Sequence, residues 1–134
     1  MPPGEVGVET ERVPYAYAVI RVVPRVERGE FVNVGVVLYS RPRKYLGVRM
    51  HLDRARLRAL WSDLDIDAVA RTLEVIQLVA AGDPAGGPIA ALPAAERFGW
   101  ISAPSSTVVQ PGPVHAGLTT DPERAMEEMY RKLV

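Results

Sequence analysis

The chain contains no cysteine, which removes disulfides, thiolate metal ligation and cysteine nucleophiles together. Histidine is almost missing too: His51 and His115 lie far apart and offer no paired spacing for a metal on one helix. No metal site and no cofactor is therefore expected. Neither charge is in excess, since sixteen basic residues balance sixteen acidic ones, so no global field draws nucleic acid or an anionic membrane. Lysine is confined to Lys44 and Lys132; with abundant alanine, the arginine bias points to a GC-rich bacterial genome. No apolar run approaches the roughly 20 residues that cross a bilayer. Met1-Pro2-Pro3-Gly4-Glu5 lacks the basic start and apolar core of a signal peptide. A cytoplasmic protein without membrane contact is the expectation. Phosphate loops of the Walker or Rossmann type are absent as well, because Gly82, Gly86 and Gly87 match neither spacing.

What remains is an ordinary globular composition, 48% apolar and 24% charged over 134 residues, enough for one core. Residues 1–13 carry no periodicity and read as a flexible N-terminal tail, leaving 14–134 as a single domain. Pro14 to Pro24 is a β-rich run bounded by prolines, Phe31 to Tyr39 a second strand, and Tyr45 to Met50 a third. Short connections make these an antiparallel meander. Asp53 then caps a short helix bearing Leu57, Leu60 and Trp61, and Asp63 or Asp65 a longer one with Ile66, Val69, Leu73 and Ile76 at helical spacing. Gly82 is placed for a left-handed C-cap. Residues 82–93 read as loop with at most one helical turn, 94–98 as another turn, and Thr107–Gln110 as a short strand. Thr120 or Asp121 opens a final helix with Pro122 in its first turn. The class is α+β: a three-stranded meander plus a short later strand, with helices packed on one face.

A side-chain period of two sorts the strands into faces. Ala18, Ile20 and Val22, then Val32, Val34, Val36 and Leu38, then Leu46, Val48 and Met50 form an aliphatic face for the helices. The reverse face carries Tyr15, Tyr17, Val19, Arg21, Phe31, Asn33, Gly35, Val37, Tyr39, Tyr45, Gly47 and Arg49, with Arg21 and Asn33 as cross-strand neighbours. It is too apolar to stand bare. The 100–118 segment, a homodimer partner or a ligand is expected to cover it, and Tyr15, Tyr17, Tyr39, Tyr45 and Arg49 are its interface candidates. Gly35, inside a strand, signals a bulge or a close approach of another backbone.

Two motifs carry a resemblance. Tyr17-Ala18-Val19-Ile20-Arg21-Val22-Val23-Pro24 followed by Arg28-Gly29-Glu30-Phe31-Val32-Asn33-Val34-Gly35-Val36, and later Arg97-Phe98-Gly99-Trp100 with Ala103 through His115, resemble the bacterial family known as domain of unknown function 3037. The resemblance runs from about residue 14 to the C-terminus. It implies an intracellular protein often encoded beside a HipA-type kinase, and it implies no activity.

The chemistry-bearing residues support two functional expectations. Arg28, Glu30 and Asn33 surround a strand entrance where a guanidinium, a carboxylate and an amide could hold a phosphate; equally, they could pair with Arg97 or loop backbone. Ser102, Ser105, Ser106 and Thr107 read as turn hydroxyls rather than nucleophiles, and His115 beside Gln110 as a buried histidine rather than a base. Trp61 and Trp100 read as core anchors. The tyrosine–arginine face resembles a base-stacking platform, but balanced charge argues against nucleic acid. The first expectation is a non-enzymatic partner or regulatory subunit for another protein, a HipA-type kinase being the candidate. The second is a small enzyme or binding domain for a phosphorylated or nucleotide-like ligand, using Arg21, Arg28, Glu30, Asn33, Arg97, Thr107, Gln110 and His115. Convergence of those side chains on one cleft separates the two.

Overall fold

A computed structural model describes residues 11–134. The expected tail therefore lies largely outside the described residues, and Val13, its last member, already belongs to a strand. Strands β1 (Val13–Val22), β2 (Val32–Ser40) and β3 (Tyr45–Met50) form the meander. Two further strands share the free edge of β1. β4 (Val109–Pro111) pairs with Ile20–Val22, and β5 (His115–Thr119) pairs with Val13–Tyr17. Pro111-Gly112-Pro113 separates them, prolines being tolerated here because an edge strand has no outer ladder to break. β5 is an addition to the expected fold. Its Leu118 is mostly exposed, so it lacks the buried alternation that marks a strand.

Helices α1 (Arg54–Leu60) and α2 (Ile66–Ala81) begin where expected. The Asp53 carboxylate accepts from Arg56 N–H, and that of Asp65, rather than Asp63, from Ala68 N–H. Gly82 ends α2 at φ 69°. Residues 84–91 form two 3-10 turns, and α3 runs over Ala94–Ser102, longer than the single turn expected. These elements bury one face of the sheet, with Ile20, Val22, Val34, Val37, Leu57, Val79, Phe98 and Ile101 in one aliphatic core.

The reverse face has its own cover. Helix α4 (Pro122–Leu133), capped by Asp121 with Pro122 in the first turn, lies over β2 and β3. Val36, Leu38, Ala125 and Met126 form its buried centre, flanked by Tyr15, Tyr17 and Tyr45. Helices thus occupy both faces, not one, and the C-terminal helix takes the place expected of the 100–118 segment or a partner. An amphipathic helix with Ala125, Met126 and Met129 on one side seeks an apolar surface, and the tyrosine face is the one left.

The register needs one correction. Ile20 opposes Gly35 and Arg21 opposes Asn33, so Val34 is an extra residue: a β-bulge. Before it, Val32 and Val34 face the large core as expected. After it, parity reverses, so Gly35, paired with Ile20 and Met50, and then Val37 and Tyr39 face that core while Val36 and Leu38 turn to α4. Tyr39 stacks on Phe98 at 5.6 Å and is no part of the reverse-face surface. Gly35 is required at the bulge because a Cβ there would press on Met50 and lie 3.0 Å from the Arg49 carbonyl.

Candidate functional site

Three of the eight candidate binding residues meet on one rung of the sheet. Arg21 of β1 stands opposite Asn33 of β2 on one side and Gln110 of β4 on the other. Directly paired residues share a face, and strands lie about 4.8 Å apart, so the three side chains line up across the sheet. Each leaves a solvent-shielded atom without a partner: Arg21 Nε, Asn33 Oδ1 and Gln110 Nε2. Asn33 is oriented by its other end, since Nδ2 donates to the Leu133 carbonyl at 3.0 Å. That bond fixes Oδ1 as the atom facing inward. The Arg21 guanidinium lies under the Phe31 ring, 4.1 Å from its centroid. Behind it Gly112 donates its N–H to the Val19 carbonyl at 2.7 Å, and a Cβ at Gly112 would sit 2.9 Å from Arg21 Cζ. Gly112 was not a candidate on sequence grounds; its absent side chain makes room for the guanidinium.

The other five candidates lie elsewhere. Arg28 pairs with its neighbour Glu30, both exposed, in the β1–β2 connection beside Trp61, Ser62 and Asp63. Arg97 does not meet them. Its Nε donates to the Leu92 carbonyl at 2.9 Å, and its Nη1 to Val79 and Ala80 carbonyls at 3.0 and 2.7 Å. It therefore satisfies the last carbonyls of α2, groups every helix end leaves open. Thr107 donates to the Val109 carbonyl at 2.8 Å and shares a 2.8 Å hydrogen bond with Ser105. His115, expected to be buried, is exposed, with its ring 5.3 Å from that of Tyr17. No cleft gathers all eight.

The interface candidates are drawn into the protein's own packing. Tyr45 donates to Met126 Sδ at 3.6 Å, and burial, with Glu123 and Glu127 nearby, pushes its pKa up to about 12. Burial also raises that of Tyr15, helped by Tyr17 and Glu128. Arg49 reaches α4 through Glu127 at 3.2 Å and lies over the Tyr130 ring.

A feature that sequence did not reveal lies at the other edge of β4. Between α2, α3 and the 103–109 segment are two apolar cavities of about 300 and 260 Å³. They share Thr72, Thr107 and Val109, so they form one cleft. Ile20, Ile76, Ile101 and Pro104 wall the first, and Leu64, Val69 and Val108 the second. Trp100 on the rim is 43% exposed, where a core anchor was expected. Its position on the outer side of α3 depends on how that helix is seated, which periodicity alone does not specify.

Among the described residues no cluster of three or more histidines, aspartates or glutamates is arranged to hold a metal, and no helix is long and apolar enough to cross a membrane. No curated protein and no solved structure matches the chain. The family described as protein of unknown function (DUF3037) matches residues 17–134, and those residues include both signature motifs, all of the sheet but the first four residues of β1, and all four helices: the chain belongs to that family.

Proposed function

We propose that the chain is a non-enzymatic partner subunit that binds another protein through the cleft beside the 103–109 segment. One observation carries this reading: two adjoining apolar cavities walled by Ile20, Ile76, Ile101, Val108 and Val109, with Trp100 exposed at their rim. Large exposed apolar patches mark interaction sites, and tryptophan is among the residues that dominate interface energetics. The dispersal of the candidate catalytic groups supports the same conclusion. Ser105 and Thr107 hydroxyls bond to each other in the loop before β4, and His115 stands on β5 beside Tyr17. A nucleophile needs a base within hydrogen-bond reach, and among the described residues neither of these hydroxyls has one.

The occupant proposed is an apolar segment of a HipA-type kinase, the neighbour that family membership suggests. Co-purification of the two proteins at micromolar concentration, with kinase activity measured in parallel, tests the pairing. Trp100→Glu should weaken capture by at least about tenfold, the loss of one interface anchor, while leaving the fold unchanged by circular dichroism. A protein that stays alone beside the kinase and leaves its activity unaltered removes the proposal.

A further inference from the structure

We propose that Arg21, Asn33 and Gln110 form a second site, one for an oxyanion that retains a hydroxyl: hydrogen phosphate, a singly protonated phosphate monoester or a 2-hydroxy carboxylate. This site does not depend on the kinase reading. It lies on the sheet's reverse face, whereas the apolar cleft lies between the sheet's other face, α2 and α3.

The argument starts from the three shielded atoms. Arg21 Nε and Gln110 Nε2 are donors, and Asn33 Oδ1 is an acceptor. Buried polar atoms without partners are rare and costly in folded proteins, and three on one rung are not a packing accident. Their complement is a group that accepts twice and donates once. Charge narrows the class further. Among the described residues no carboxylate pairs with Arg21, whose only close charge-related contact is the Phe31 ring. A water molecule would meet the hydrogen bonds but brings no charge to the half-buried guanidinium; an anion does both. A fully deprotonated anion fails differently, because it turns a lone pair toward Asn33 Oδ1. An anion with one hydroxyl satisfies all three side chains. Phe31, which stands just before β2 and is 46% exposed, covers the Arg21 guanidinium from the solvent side. Arg21, Asn33 and Gln110 line neither of the two cavities described above, and three shielded atoms on a single rung suit one small anionic group.

The test uses the whole, isotope-labelled chain. The Arg21 Nε–H and Gln110 side-chain amide resonances are followed during titration with phosphate, lactate, sulfate and acetate at constant ionic strength. Phosphate or lactate should shift both resonances and saturate at millimolar concentration. Sulfate and acetate, which match them in charge type but carry no hydroxyl at neutral pH, should bind at least about tenfold more weakly, the cost of an acceptor left facing an anion. A response to phosphate alone assigns the site to phosphoryl groups, and one to lactate alone to hydroxy acids. Gln110→Met keeps the side-chain length and removes the donor, so it should weaken binding about tenfold without altering thermal unfolding; Arg21→Lys keeps charge and should still lose the Nε contact. Equal binding of phosphate and sulfate overturns the proposal, as does binding indifferent to Gln110→Met. So does a crystal structure in which the Gln110 amide is bonded to Arg21 and no anion shifts either resonance.

Discussion

The two faces of the sheet are closed by different means. The first is closed by three helices and two 3-10 turns over side chains that are almost all aliphatic. The second is closed by one helix over tyrosines, methionine and short aliphatics. A 12-residue helix is about 18 Å long, while a 10-residue strand such as β1 extends about 33 Å. One helix cannot roof the whole reverse face. At the C-terminal end of α4, where the Leu133 carbonyl accepts from Asn33 of β2, lies the rung of Arg21, Asn33 and Gln110, and there the unpartnered atoms collect. Complete closure produces a core; incomplete closure leaves room for a site.

Truncations in the two cores should differ in size. Leu57→Ala, at a residue 1% exposed in the larger core, should cost about 3–5 kcal/mol, and Met126→Ala, at a residue 6% exposed on the inner side of α4, about 2 kcal/mol. Urea unfolding of both variants measures the difference. Equal losses would mean that the reverse face is as fully packed as the first. The bulge should behave like the smaller of the two. Gly35→Val forces branched carbons against Met50 and the Arg49 carbonyl and should cost about 1–3 kcal/mol. Met50→Ala in the same chain should return part of that loss, since it vacates the space, and a double-mutant cycle reads the recovery directly.

The bulge also explains why sequence carried the fold so far and then misassigned five residues, Gly35 through Tyr39. In β1 and β3 the period of two was unbroken, and Ala18, Ile20, Val22, Leu46, Val48 and Met50 lie on the face it assigned. In β2 the apolar residues run almost without interruption through Val36, Val37 and Leu38. Either parity therefore buries equally good aliphatics, and nothing local reports the inserted residue except Gly35. The site was half legible for a related reason. Strand register put Arg21 beside Asn33, but Gln110 joins them only through β4 pairing at long sequence distance. Arg97 misled because a guanidinium that caps a helix and one that grips an anion look alike in sequence. The carbonyls of Val79 and Ala80 decide between them, and those are positioned by how α3 lies against α2.

The reverse face should also be the alkali-sensitive one. Tyr45 titrates near 10 when unfolded and at about 12 in the folded protein, so below pH 10 both states hold the proton and stability is unaffected. Between pH 10 and 12 the unfolded chain releases its proton first, and folding weakens until the native hydroxyl also ionises. Tyr45→Phe, which cannot ionise, should flatten this window. Denaturant midpoints from pH 9 to 12, together with tyrosinate absorbance, provide the check. If the variant loses stability over the same range to the same extent, Tyr45 is not the titrating group on this face.

The smallest effect is expected where sequence first suggested chemistry. Arg28 and Glu30 pair on the surface, with 59% and 49% of their side-chain areas exposed. Solvent screens such a pair, and the cost of holding two long side chains offsets most of the attraction, so Arg28→Ala should change stability by less than about 0.5 kcal/mol. It should also leave phosphate binding at the Arg21 rung unaltered, because the 25–30 connection lies beside Leu60, Trp61 and Asp63, on the side where the larger core is built. The contrasting variant is Gly112→Ala, whose added carbon crowds the Arg21 guanidinium. Loss of anion binding in Gly112→Ala but not in Arg28→Ala would assign the recognition to the reverse face. The opposite pattern would return it to the strand entrance and remove the distinction between a sealed face and an open one.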